Sequence, residues 1–371
     1  MMMLTEPLIV ISGLMIAAFI VMAIKNVRLK DNQAFILMIP LVLTIAVIGY
    51  NFDYAANPNN DLSRFIDDFI KIKRNGLSAK LQYSNQIEII YTGIAFLASH
   101  LNNFHWYPFF TLLFEYGIYA YILTCESREF ANQGLGIIIS LLYKLSLLPL
   151  IMSVSGSRNT IAYTIFALGI YLKEKEKTTG LKSWLLIIAG GLVHYSVFFG
   201  VIVYIISRAL REKQKFVFLI TFWGALLGII MNTLSSVSGD VAAFLFGKAS
   251  FYTIEQNRTN MERVDFMMPC IVLLLIICFV RLFLLKKEYS GLSFFVLAQL
   301  CMSAGTAAIV PTFFIRLCYP ISILFPTLYK EIQFDDGLQG RLFHFLLLAI
   351  GALAFIMTRY GWIRELVRIA M

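Results

Sequence analysis

Two arginines set in apolar sequence raise the question of chemistry first. Arg158 stands in Ser-Gly-Ser-Arg-Asn between two long apolar runs, and Arg316 stands in Pro-Thr-Phe-Phe-Ile-Arg-Leu-Cys-Tyr-Pro with no acidic neighbour. A guanidinium keeps its charge and forks onto phosphate oxygens, so each is a candidate anion contact. The plainer reading of Arg158 is an interfacial arginine closing a helical hairpin. His194, in Gly-Gly-Leu-Val-His-Tyr-Ser, is either a general base or hydroxyl ligand, or a hydrogen-bond partner between helices. Glu88 borders the short apolar segment 87–101, where an unpaired carboxylate would be costly. Asp61 and Arg64 open the element Asp61-Leu62-Ser63-Arg64-Phe65. Asp67, Asp68, Lys71, Lys73 and Arg74 read as a solvated face.

Metal and nucleotide chemistry find no counterpart in the motifs. His100 and His105 are five apart rather than four, and no H-E-x-x-H or D-x-D occurs. Walker A, G-x-S-x-G and G-x-G-x-x-G patterns are missing as well, so no metal site and no cofactor are expected.

The elements that must position these residues follow from composition. The 371 residues are 59% hydrophobic and 14% charged, with a mean hydropathy of +0.76. Soluble domains run near 25% charged, and one core in water cannot bury this much apolar surface. The expected fold class is an all-α polytopic membrane protein of about 10–12 transmembrane helices, one integral-membrane domain over 1–371. The net charge of +9 gathers in short clusters between apolar runs, with no basic stripe for nucleic acid. The cysteines Cys125, Cys270, Cys278, Cys301 and Cys318 form no CxxC pair and read as small buried hydrophobes. Residues 1–24 lack a basic n-region and an A-x-A site, which favours a retained first span over a signal peptide.

Crossings are expected at 8–24, 34–50, 106–124, 134–152, 160–172, 216–233, 266–285, 292–310, 317–329 and 342–358. Segments 87–101 and 184–206 are ambiguous. The basic clusters Lys25-Arg28-Lys30, Lys173-Lys175-Lys177-Lys182, Arg208-Arg211-Lys213-Lys215 and Arg281-Lys286-Lys287 are assigned to the cytoplasm. Parity then requires that 87–101, only about 22 Å long as a helix, does not cross fully. It also requires 184–206 to fold as a broken hairpin with His194 near its turn. Loops 51–86 and 234–265, the turn 153–159, His194 and the segment before Arg316 then face the outside. A tail with Arg359, Arg364 and Arg368 would lie outside too, against the rule. Within 51–86, Phe65 and Phe69 at i,i+4 with acids opposite suggest an amphipathic interfacial helix.

These residues, in this order, resemble the EpsG-like branch of the Wzy-type polysaccharide polymerases. Asp61-Leu62-Ser63-Arg64-Phe65 is similar to the family's D-x-x-R-Y element, with Phe for Tyr. Glu88 resembles its acidic residue, although Ile89-Ile90-Tyr91 replaces the Pro/Gly and aromatic that follow it. Arg158-Asn159-Thr160-Ile161-Ala162 resembles R-x-x-[IL]-A, and His194-Tyr195-Ser196 resembles H-x-S. Arg316-Leu317-Cys318-Tyr319 resembles R-[IL]-x-x-Y with Tyr one place early. The similarity spans roughly 34–330.

The resemblance implies a GT-C-like architecture and a metal-independent glycosyltransferase of a bacterial cytoplasmic membrane, its active site facing outside. The implied reaction moves a growing glycan from its polyprenyl-diphosphate carrier onto a fresh lipid-linked repeat unit. The product is a capsule, exopolysaccharide or O-antigen. Implied partners are the lipid-linked glycan donor and acceptor and membrane lipid, with a chain-length regulator and a flippase as protein partners. Arg158 and Arg316, with Arg64 as a third contact, would hold the diphosphate; His194, Glu88 or Asp61 would be the base. The alternatives are a lipid-linked oligosaccharide flippase or transporter, a glycan ligase, or an acyltransferase. Flippases commonly carry inverted repeats, and none is evident here.

Overall fold

The computed structural model describes residues 2–52, 61–76, 88–175, 180–236, 254–307, 311–333, 340 and 343–356. Every regular element among them is helical. The protein is an all-α, multi-pass membrane protein. Among the described residues, four helices are long and apolar enough to cross a membrane: Pro7–Lys25, Asn32–Tyr50, Trp106–Ser127 and Met267–Leu284. Six shorter apolar helices accompany them. The outward side chains are those a bilayer tolerates, such as Val10, Leu14 and Ile24 on the first helix.

The chain contacts cluster into two compact units, Met1–Ser140 with Leu150–Phe199, and Leu141–Pro149 with Gly200–Met371. In the first unit, α1 (Met2–Lys25) packs on α2 (Asp31–Tyr50), and α2 packs on α5 (Trp106–Ser127). Ser12 and Thr44 share a 2.6 Å hydroxyl contact, and Thr44 also donates to the Leu8 carbonyl. Between α2 and α5 lie α3 (Asp61–Asn75) and α4 (Ile89–Ser99). The apolar face of α3 (Leu62, Ile66, Phe69, Ile72) is buried in protein, with Phe69 edge-on to Tyr107 at 4.9 Å. Then follow α6 (Gln133–Leu147), which belongs to this unit as far as Ser140, the short α7 (Leu150–Ser155), α8 (Ser157–Lys175) and α9 (Leu181–Val193). The last turn of α8 is tied to α5, because Lys175 Nζ and the Tyr171 hydroxyl meet the buried Glu126 carboxylate at 2.7 and 2.9 Å. A charge-assisted pair of that kind fixes the end of α8 away from Arg158.

The second unit holds α10 (Val197–Ala209) from Gly200 onward, a 3-10 turn (Arg211–Phe218), α11 (Leu219–Ser236) and α12 (Ile254–Phe279). Beyond these come α13 (Gly291–Ala307), α14 (Pro311–Ile332) and α15 (Phe343–Ile356). α13 is buried along almost its whole length against α14. Tyr143 stacks on Phe325 at 4.6 Å, and the buried Lys144 ammonium donates to Ser322 Oγ at 3.2 Å.

Several expected boundaries move. The expected span 134–152 is interrupted at Leu148–Pro149, because proline lacks an N–H and drives the preceding residue out of helical geometry. The expected loop 234–265 is helical from Ile254 onward, where good helix formers (Glu, Gln, Arg, Met) extend α12; residues 237–253 lie outside the described ones. α14 begins at Pro311, so Arg316 sits inside a helix rather than before one. Proline at a first helical position is favourable because its missing N–H would have no intrahelical partner. Segments 53–60 and 77–87 of the first expected loop and the tail with Arg359, Arg364 and Arg368 are also outside the described residues.

Candidate active site

Three elements of the first unit converge on one carboxylate. Glu88 sits immediately before α4, where its backbone carbonyl accepts from the Thr92 N–H and hydroxyl at 3.0 and 3.1 Å. Arg158 occupies the first turn of α8. His194 ends α9 in extended geometry (φ −153, ψ 120), its N–H donating to the Gly190 carbonyl at 3.0 Å.

Glycine lets α9 come close enough to deliver that histidine. A Cβ on Gly190 would stand 2.8 Å from the Ala162 carbonyl oxygen of α8, and one on Gly169 would meet Ile187 and Ser183 at 3.0 Å. Beyond His194 the chain turns over three residues into α10, and the Tyr163 hydroxyl donates to the Ser196 carbonyl at 3.0 Å. This bond satisfies a backbone group that the interruption would otherwise leave exposed. The 13-residue α9 and 13-residue α10 are each about 20 Å long, short of a full crossing.

The Glu88 carboxylate, 3% exposed, uses both oxygens. Oε2 accepts from Arg158 Nη1 at 2.7 Å, and Oε1 faces His194 Nδ1 at 2.7 Å. A carboxylate accepts, so Nδ1 carries a proton toward Glu88 and Nε2 is the ring nitrogen turned away from it. The Arg158 guanidinium also lies over two rings, with Cζ 5.6 Å from the Phe65 centroid and 5.3 Å from that of Tyr91. Those rings meet edge to face at 5.7 Å. Arg158 Nε is buried with no hydrogen-bond acceptor among the described residues, and the side chain as a whole is 19% exposed. Arginine has five donors; here one is committed to Glu88 and another is conspicuously unsatisfied.

The structure therefore brings together Glu88, Arg158 and His194, which are far apart in sequence. Asp61 and Arg64 form an ion pair with each other at the start of α3, with both side chains substantially exposed. It is the next residue, Phe65, that reaches Arg158. Arg316 belongs to the second unit, partly buried on α14. Sequence reasoning overlooked the roles of Phe65, Tyr91 and Tyr107. One signal was available for Tyr91, which follows Glu88 by three residues and so stacks beside it along α4. Tyr107 packs beside them, its ring edge-on to Phe69, one turn beyond Phe65 on α3. Nothing in the sequence around Tyr107 announces that contact.

The model of the EpsG family matches residues 35–363. The chain belongs to the EpsG family. No curated protein and no solved structure matches it. EpsG is a family of Wzy-like polymerases, so a polysaccharide-polymerase role and polysaccharide biosynthesis at a membrane go with membership. The part shared with other EpsG chains contains Asp61, Arg64, Glu88, Arg158, His194 and Arg316.

Proposed function

We propose that this protein joins polyprenyl-diphosphate-linked oligosaccharide repeat units into a surface polysaccharide, at the outer face of a bacterial cytoplasmic membrane. Within the EpsG family, the observation that carries this reading is the Arg158–Glu88–His194 constellation, with its buried, unsatisfied arginine donor.

The acceptor sugar hydroxyl gives its proton to the Glu88–His194 pair, and its oxygen bonds to the anomeric carbon of the donor glycan. The bonding pair of the C–O bond to the carrier leaves with the diphosphate. Negative charge develops on that leaving group, and a preorganised guanidinium opposite it lowers the barrier. Arg158 fills this role. The rings of Phe65 and Tyr91 restrict its guanidinium, so less ordering remains to be done when the anion arrives. Asp61 is committed to Arg64, which argues for a positioning role at the start of α3 rather than for the base. A contact of Arg316 with the substrate is proposed from its sequence element alone.

Reconstitution with purified lipid-linked repeat units tests the reading. A ladder of lipid-linked oligomers, lost in His194→Ala, is expected. Transfer of intact lipid across the bilayer with no new glycosidic bond would make the protein a transporter and overturn it.

A further inference from the structure

Beside Arg158 the first unit holds an apolar recess of about 210 Å³, lined by Ile94, Tyr107, Phe110, Thr111, Phe114 and Ile161. Two of its walls come from helices that build the polar cluster, and the other four lining residues stand on α5. Ile94 lies one turn beyond Tyr91 on α4, and Ile161 lies one turn beyond Arg158 on α8. Residues three apart on a helix lie on one face, with a rise of about 4.5 Å between them. Tyr107 lines the recess and meets Phe69 edge to face, one turn beyond Phe65 on α3. The outer rim is open, since Phe110 is 51% and Phe114 37% exposed. Both stand on α5, one of the helices long and apolar enough to cross a membrane.

From this adjacency we infer that the recess is the seat of the first isoprene units of a diphosphate lipid whose headgroup lies against Arg158. The inference rests on the polymerase reading and adds a specific binding surface to it. A guanidinium with an unsatisfied donor at one end and an apolar slot at the other complement an anionic head on a branched hydrocarbon tail. A free sugar or a peptide would leave polar groups unsatisfied along these walls. The Thr111 hydroxyl is already turned to its own helix, donating to the Tyr107 carbonyl at 2.9 Å, so the lining offers little for a polar guest. Because the rim is on a membrane-length helix, the tail enters sideways from the hydrocarbon.

The test compares farnesyl diphosphate with inorganic diphosphate on the purified full-length protein in detergent. The wild-type protein is expected to prefer farnesyl diphosphate by at least about tenfold, since several buried methylenes are worth that much. Ile161→Trp and Ile94→Trp, which fill the slot from opposite walls, should abolish the preference while inorganic diphosphate binds as before. That second affinity also shows that each variant is folded. Should a tryptophan not be accommodated, a diazirine-bearing farnesyl diphosphate is expected to label Phe110–Phe114 of the wild-type protein.

The inference is overturned if both tryptophan variants keep the wild-type preference, if labelling falls elsewhere, or if phosphatidylglycerol displaces the probe and farnesyl diphosphate does not. If inorganic diphosphate binds in an Arg158-dependent way but the tail adds nothing, the recess alone is refuted and the polymerase reading stands. If the wild-type protein binds neither compound, both fall.

Discussion

Glu88 and His194 face each other at 2.7 Å although 106 residues separate them in the chain. The contact joins the residue entering α4 to the residue leaving α9, with Arg158 held by the second carboxylate oxygen. An imidazole so held has one tautomer and one orientation. That is the arrangement in which a histidine nitrogen can act repeatedly as a base.

Loss of the central carboxylate should be felt both chemically and structurally. Glu88→Gln is expected to lower polymerisation by about 10²-fold or more, the usual scale for general-base assistance. It should also destabilise the detergent-solubilised protein by about 3 kcal/mol, because a buried pair loses one charge and keeps the other. Turnover from reconstituted vesicles and a thermal melt check the two parts; near-normal ladders in Glu88→Gln would remove the carboxylate from the chemistry.

Arg158→Lys keeps a positive charge but gives up the planar fork and its stacking on Phe65 and Tyr91. Lipid-linked single repeats should accumulate while long chains disappear from the membrane extract. Polymer of ordinary length in this variant would contradict a diphosphate role.

Phe65 offers a graded probe of the same arginine. Phe65→Tyr retains a ring under the guanidinium and should preserve activity, whereas Phe65→Leu removes about 0.5–2 kcal/mol of cation–ring attraction. The deficit should show in the apparent affinity for the lipid-linked donor more than in maximal turnover. Equal behaviour of the two variants would mean that the ring contact is incidental.

Gly190→Ala adds a Cβ 2.8 Å from a backbone oxygen of α8. Overpacking of this kind costs about 1–3 kcal/mol and here should push His194 away from Glu88. The expected result is a lower melting temperature together with reduced polymerisation, and Gly190→Ser should be worse. An unchanged melt would show that α9 can withdraw freely.

Asn102, exposed between α4 and α5, reports sidedness. Asn102→Cys should be labelled in intact cells by an impermeant thiol reagent. Background is low because Cys270, Cys278, Cys301 and Cys318 are buried, and Cys125→Ser removes the remaining half-buried thiol. Labelling only after permeabilisation would reverse the proposed orientation.

Much of the architecture was legible because a bilayer leaves so few options. Apolar runs of about 20 residues had to be helices, and the basic clusters flanking 184–206 required a break where the chain in fact interrupts its helix at His194. Proline at 149 and helix formers after 254 moved boundaries that hydropathy alone had smoothed over. The site was legible in its parts rather than in its connections. Arg158, His194 and Glu88 stood out as ionisable groups in apolar surroundings, with Glu88 one of three candidate bases although its neighbours depart from the family pattern. What makes it central is the approach of α9 to α8 across Gly169 and Gly190, a contact between side-chain-free surfaces that periodicity cannot register. Phe65 was hidden for a similar reason, since its charged neighbours Asp61 and Arg64 draw the eye while they bind each other.

The half-length helices on either side of His194 bear on how the protein is made. Neither α9 nor α10 is long enough to hold itself across a bilayer, so the pair needs a partner already in place when it leaves the ribosome. The order of synthesis supplies one: Glu88 and α4 emerge first, Arg158 and α8 next, and the glycine-faced α9 last. Of the three residues gathered at the Glu88 carboxylate, the histidine is the last to be made. A chain truncated before residue 194 would hold the carboxylate and the guanidinium without the imidazole that faces them.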